Sequence, residues 1–206
     1  MDDQKDVVRR GYDVLSARYD AAYGSAAKYA SWLGELICSL PPEAAVVDLG
    51  CGSGVPVLRD LVAAGHRGTG VDFSAVQAMR ARQLVPAATV LESDLTTVRF
   101  SPASLDAVFA FYSIIHVPLP EQPALLHRIA GWLRPGGVFA ATLGFQAWTG
   151  TDADWLGGGT PMWWSHADTA TNRRWLLDTG LVIETEKFLA EGDSGAVLFV
   201  ARRPLR

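Results

Sequence analysis

Short apolar runs alternate along this chain with stretches whose apolar residues recur at helical spacing. Ala45–Leu49, Gly68–Val71, Thr89–Leu91, Asp106–Phe111 and Val138–Leu143 read as buried strands. Between them, Pro56–Ala64 puts Leu58, Leu61 and Val62 on one face and stops at Gly65. Ser74 reads as the N-cap of a helix running to about Gln83. Glu121–Leu133 carries Leu125, Leu126, Ile129, Trp132 and Leu133 at helical spacing and ends at Pro135-Gly136-Gly137. Such alternation predicts an α/β fold, a mostly parallel sheet with helices on both faces.

The ends of the chain read differently. Lys5–Tyr19 and Ala26–Ser39 form two front helices within residues 1–40. After Leu143, about 23 residues, Gly144–His166, are rich in Gly and Trp and lack a clear period; so long a loop in a compact domain is usually functional. Thr171–Thr179 is a helix closed by Gly180. Leu181–Phe188 and Ala196–Arg202 are strands joined across Ala190–Gly195 as an antiparallel hairpin. With no repeat and no linker, residues 1–206 are expected to form one domain.

Composition narrows the field. The chain is 49% hydrophobic with a net charge of −4, which supplies a core and argues against a nucleic-acid partner. The acidic start MDDQKD lacks a signal sequence's apolar stretch, and the apolar run Ala107–Ile115 falls short of a membrane span. Cys38 and Cys51 are expected as free thiols, because a cross-link at Cys51 would obstruct the glycine loop it sits in. These features predict a soluble cytoplasmic protein.

The chemistry begins at Val46–Gly54 (VVDLGCGSG), a strand turning into a helix through Gly50, Cys51, Gly52, Ser53 and Gly54. Glycines there let a ligand approach the backbone. A dinucleotide loop places glycine at positions one, three and six, but here the sixth is Val55. Asp48 would also repel a pyrophosphate while suiting an ammonium group. Asp72 ends the second strand, placed to accept from a ribose diol. Asp94, in Ser93-Asp94-Leu95, follows the third strand, where it can accept from an adenine amino group while Leu95 packs on the ring. One such acid is an ordinary turn residue. Three in succession after a glycine loop point to an adenosyl cofactor without phosphates, S-adenosylmethionine.

With Gly70-Val71-Asp72-Phe73-Ser74, Leu105–Pro118 (LDAVFAFYSIIHVP) and Leu133–Gly137 added, the chain resembles class I S-adenosylmethionine-dependent methyltransferases from about Tyr12 to Arg202. The resemblance implies a Rossmann-like, seven-stranded, mostly parallel sheet with its last strand antiparallel and an N-terminal helical lid. It implies Asp48 and the Gly50–Gly54 backbone at the cofactor's amino acid moiety, Asp72 at ribose, and Asp94 and Leu95 at adenine, with Phe73 and Ser93 in the same two motifs. Phe111 and Tyr112 would lie beside the donor methyl; core packing is the other reading of Phe111. Tyr12, Leu15 and Tyr19 share a helix face. That face is either packed as a plain amphipathic stripe or offers Tyr19, with Tyr12 as alternate, to the cofactor carboxylate.

On the acceptor side, His116 follows the fourth strand and is a general base or a loop brace; His166 is the rival base. His66 and His127 are read as solvent-facing. Trp148, Trp155, Trp163 and Trp164 fall within 17 residues, and Trp148, Trp163 and Trp164, with Tyr112 and His116, are expected to line a pocket for a flat small-molecule acceptor. Glu191 reads as a solvated turn residue, with a reach to the same mouth as the alternative. No metal-ligand cluster stands out. The functions left are methyl transfer to oxygen or nitrogen of a small molecule, or a non-methylating protein that keeps the same cofactor as a structural ligand.

Overall fold

The structure, a computed structural model, describes residues 3–23, 29 and 32–205. Seven strands form one sheet: β1 (Ala45–Leu49), β2 (Arg67–Asp72), β3 (Thr89–Glu92), β4 (Leu105–Ala110), β5 (Leu133–Gly144), β8 (Val182–Glu191) and β9 (Ser194–Arg202). Their order is β3-β2-β1-β4-β5-β9-β8. All pairings are parallel except those of β9, which runs antiparallel to both β5 and β8. The Rossmann-like sheet with an antiparallel last strand is therefore present, and β1 to β4 lie within a residue of their expected positions, whereas β5 begins at Leu133, five residues before its expected start.

The central strands are mostly apolar because both faces are covered. Val47, Leu49, Val108 and Ala110 pack towards α5 (Gln122–Trp132) and α6 (Thr169–Asp178). Their neighbours Val46, Ala107 and Phe109 point the other way, towards α2 (Leu33–Cys38) and α3 (Val57–Ala63). The second front helix, expected over Ala26–Ser39, is seen as α2; residues 24–28, 30 and 31 lie outside the described set. No helix among the described residues is long and apolar enough to cross a membrane.

Two segments depart from expectation. Gly144–His166 is not irregular: β6 (Trp148–Asp152) and β7 (Met162–His166) pair antiparallel as a separate ribbon. Four of the five β6 residues are exposed, so the ribbon carries no inside–outside alternation by which to find it. The last hairpin is also longer than expected. A two-residue Gly192-Asp193 turn pairs Glu191 with Ser194, and Gly192 takes a φ of +58°.

Helix α1 (Asp3–Tyr23) lies against both α4 (Ala75–Leu84) and the ribbon. Every third or fourth polar residue on one stripe grips α4: Asp13 Oδ1 accepts from Ser74 Oγ at 2.7 Å, Ser16 Oγ donates to Gln77 Oε1 at 2.7 Å, and Asp20 pairs with Arg80 at 2.6 Å. Two glycines let α1 approach the ribbon. A Cβ on Gly11 would sit 2.7 Å from Met162 Cε, and one on Gly158 would sit 2.0 Å from the wholly buried Leu15. Gly158→Ala is therefore expected to lower stability by about 1–3 kcal/mol through overpacking and to raise amide exchange in α1. Exchange in α1 equal to wild type would contradict this packing.

Candidate functional site

The carboxyl ends of β1, β2 and β4, covered by α1, enclose three adjoining chambers. The first has a volume of about 630 Å³ and is lined by Lys5, Val8, Tyr12, Tyr19, Gly50, Gly52, Asp72, Phe73, Gln77, Asp94, Leu95, Phe111, Tyr112, Ser113, His116 and Val117. A second, about 390 Å³, continues from Gly50 and Gly52 past Cys51 and Ser53 to Asp48, Tyr19 and Tyr29. A third, about 510 Å³, lies between α1 and the ribbon, among Tyr12, Tyr19, Tyr23, Tyr112, Ile115, His116, Trp155, Trp164 and Glu191. Tyr12, Tyr19, Tyr112 and His116 border both the first and the third chambers.

The glycine loop is built as its sequence suggests. Gly50, Gly52 and Gly54 all have positive φ. A Cβ on Gly50 would meet that of Ser113 at 2.3 Å, so only glycine lets the loop pass the end of β4. Gly54 serves packing instead, facing Val85 and Ala81 of the α4 end. Asp72 Oδ2 accepts from the Gly52 amide at 2.9 Å and Oδ1 from the Ser74 amide at 2.9 Å. Burial raises its pKa to about 6, although these amides pull it down. Asp48 is pushed higher, to about 8, first by burial and then by the charge of Asp72.

At the far end of the first chamber, Asp94 is not a lone carboxylate. Oδ1 accepts from the Thr96 amide at 2.7 Å, and Oδ2 faces Lys5 Nζ at 3.2 Å. Lys5 also donates to Thr96 Oγ1 at 2.8 Å and to Glu121 at 2.6 Å. Ser93 stands off the cleft wall, its amide bonded to the Asp72 carbonyl. Among the buried side-chain polar atoms without a partner among the described residues are Gln77 Nε2, Ser113 Oγ and Ser53 Oγ. All three side chains line these chambers. Phe111 packs on Trp32 at 4.6 Å between ring centres and also lines the first two chambers.

The acceptor-side expectations are redistributed. Successive β7 side chains point to opposite faces, so Trp163 and Trp164 part company. Trp163 is buried beside Val8 and Met162, whereas Trp164 lines the third chamber. Trp155, seen in the sequence but not assigned to the site, stands beside it at 5.3 Å. Trp148 is half exposed, tilted against both Trp164 and His166 outside the chamber. His166 is not at the site: its Nδ1 is bound to the Gln146 carbonyl at 2.7 Å. His66 is not simply solvent-facing either, since it bridges Ala44 and Ile37. Glu191, preferred as a solvated turn residue, reaches the chamber and hydrogen-bonds Tyr112 because the last hairpin is longer than expected.

His116 is buried, and burial drives its pKa down to about 4. Gln122, which no local pattern singles out, fixes this segment. Its Nε2 donates to the carbonyls of Val117 and Ser165, each at 2.7 Å, tying the turn after β4 to β7.

A family model described as a methyltransferase domain matches residues 46–137, the stretch that supplies the glycine loop, Asp72, Asp94 and His116. This stretch, less than half of the chain, is similar to a methyltransferase domain. Trans-aconitate 2-methyltransferase of Paracidovorax citrulli is 38% identical over 112 residues, covering 52% of this chain and 42% of that protein. The 27-O-demethylrifamycin SV methyltransferase of Amycolatopsis mediterranei is 28% identical over 155 residues, covering 65% of this chain and 56% of that one. The chain thus spans about half the length of these relatives. Magnesium protoporphyrin IX methyltransferase from Synechocystis PCC 6803, solved with bound SAH, shares the fold at a TM-score of 0.75 and 19% identity, covering 98% of this chain and all of the other.

Asp48 makes the site's electrostatics measurable. Its carboxyl titrates near 3.8 when exposed and near 8 when folded, so between those values the folded state holds a proton that the unfolded state releases. Stability attributable to Asp48 therefore falls as pH rises through that window, by at most about 1.4 kcal/mol per pH unit. Urea unfolding at pH 5 and pH 8 should show wild type losing stability relative to Asp48→Asn. Parallel pH dependence in the two proteins would contradict a buried, protonated Asp48.

Proposed function

We propose that this protein binds S-adenosylmethionine in the first two chambers and transfers its methyl group to an oxygen or nitrogen of a small, flat acceptor in the third. The observation that carries the reading is the junction: Tyr12, Tyr19, Tyr112 and His116 border both the cleft over the glycine loop and the aromatic chamber. Donor and acceptor held on either side of it would react as an effectively unimolecular pair, worth up to roughly 7–11 kcal/mol of the barrier.

The residues present fit the cofactor. The buried unpartnered Gln77 Nε2, Ser113 Oγ and Ser53 Oγ are polar atoms that await a ligand. Asp72 and Asp94 line the first chamber and Asp48 the second, where a bound ammonium would draw its carboxyl to the ionised form. The cation of the first chamber, Lys5, is already shared between Asp94 and Glu121. Such a lining favours a cationic ligand without phosphate over NAD. In this reading Asp72 takes the ribose diol with the acceptor capacity its two amides leave, Asp94 and Leu95 take adenine, and Asp48 with Tyr19 takes the amino acid end. When bound, S-adenosylmethionine supplies a methyl group on a positively charged sulfur. Tyr12, Tyr23, Trp155 and Trp164 offer ring faces to a planar acceptor, and cation–π attraction to that positive charge strengthens the site.

Calorimetry with S-adenosylhomocysteine and NADH, followed by labelled methyl transfer to an acceptor library, tests the proposal. Binding of S-adenosylhomocysteine well above NADH is expected. Trp155→Ala with Trp164→Ala should cut transfer at least tenfold while leaving that affinity within about threefold. Trp163→Ala should instead cost about 3–5 kcal/mol of stability. Equal affinity for the two ligands would overturn the cofactor assignment, and a protein that binds S-adenosylhomocysteine but methylates nothing would favour the non-methylating reading.

A further inference from the structure

We propose that Tyr12 and His116 form a proton path that takes the acceptor's proton during methyl transfer, with Tyr12 as the group that touches the acceptor. The inference rests on the methyl-transfer reading above and deepens it.

The geometry fixes the direction of the path. His116 Nδ1 lies 2.7 Å from the carbonyl oxygen of Trp163, which has no proton to give, so Nδ1 carries the hydrogen. The neutral ring then presents Nε2 as an acceptor. Tyr12 Oη lies 2.9 Å from that nitrogen, and therefore its hydroxyl donates to His116. The lone pairs of the phenol oxygen are left for a hydrogen-bond donor, and Tyr12 borders the acceptor chamber.

The step balances. As the bond from carbon to the acceptor atom forms, the bond from carbon to sulfur breaks and sulfur keeps its electron pair. Positive charge passes to the acceptor atom, whose remaining proton becomes strongly acidic. That proton moves to Tyr12 Oη while the Tyr12 proton moves to His116 Nε2, and the Trp163 carbonyl holds the resulting imidazolium. A weak base suffices for so acidic a proton. Burial supports both roles: it holds His116 neutral near pH 7, keeping a second cation away from the donor, and raises the Tyr12 phenol well above its ordinary value, so it relays without ionising.

A path of this kind selects its substrate. It serves a neutral hydroxyl or an aromatic N–H, which attack while still protonated. It cannot serve an alkylammonium, which must lose its proton before it has a lone pair to attack with. Because Tyr12 belongs to α1 and His116 to the turn after β4, the path exists only while α1 lies over the cleft.

Three readouts on wild type, Tyr12→Phe, His116→Gln and Glu191→Gln test it. Nitrogen NMR of the ligand-free protein at pH 7 should find His116 protonated at Nδ1 and bare at Nε2. Calorimetry should find S-adenosylhomocysteine affinity within about threefold in all four proteins. Labelled transfer at pH 9 to 2-naphthol should fall about a hundredfold or more in Tyr12→Phe and His116→Gln, and fall far less to 2-naphthalenethiol, which is already an anion. An Nε2-protonated ring, equal losses for the two probes, an effect confined to Glu191→Gln, or wild type that binds S-adenosylhomocysteine yet methylates neither probe would each overturn the path. Absence of S-adenosylhomocysteine binding would instead overturn the cofactor reading beneath it.

Discussion

The carboxylate of Asp72 joins the parts from which the site is made. One oxygen holds the Gly52 amide and the other the Ser74 amide, each at 2.9 Å, so the loop after β1 and the turn after β2 are locked to one side chain. Ser74 carries the linkage onward. Its hydroxyl caps α4 by accepting from the Gln77 amide and donates to Asp13 of α1. Glycine loop, second strand, α4 and covering helix are thus connected through three polar side chains, and an acid forced to stay buried has its desolvation offset by backbone donors.

What holds α1 in place also sets how readily it leaves. Its ion pairs with α4 and with Asp94 are partly exposed, and such pairs contribute about 0–1 kcal/mol each. Val8 and Leu15 are fully buried beneath it, which supplies the larger share of its adhesion. A helix attached by a few buried apolar residues and weak polar contacts suits a cover that must admit a cofactor and release it. The sheet below is built differently, buried on both faces along its central strands, and it holds the carboxylates at the strand ends in place.

The sequence made the sheet readable because parallel strands buried on both faces are short, fully apolar runs punctuated by glycine and acids. β1 was legible to the residue, and the carboxyl-end acids with it. The ribbon was hidden for the opposite reason: Trp148–Asp152 is mostly exposed and pairs only with Met162–His166, so neither periodicity nor apolar length marks it. Trp163 and Trp164 look alike in sequence, and only strand pleating sends one to the core and the other to the chamber. The polar stripe Asp13, Ser16 and Asp20 of α1 meets partners on or beside α4, Ser74, Gln77 and Arg80, that lie about 60 residues away. Glu191 depended on the reach of a two-residue turn. Long-range contacts of this kind leave no local trace.

The most direct test of the central claim, that α1 closes a donor cleft onto the aromatic chamber at Tyr12 and His116, is a crystal structure with S-adenosylhomocysteine bound. The account predicts adenosine between Asp72 and Asp94, the amino acid end at Asp48, and the sulfur facing the junction of the two chambers beneath a closed α1. Adenosine bound elsewhere, or a sulfur directed away from Tyr12 and His116, would contradict it.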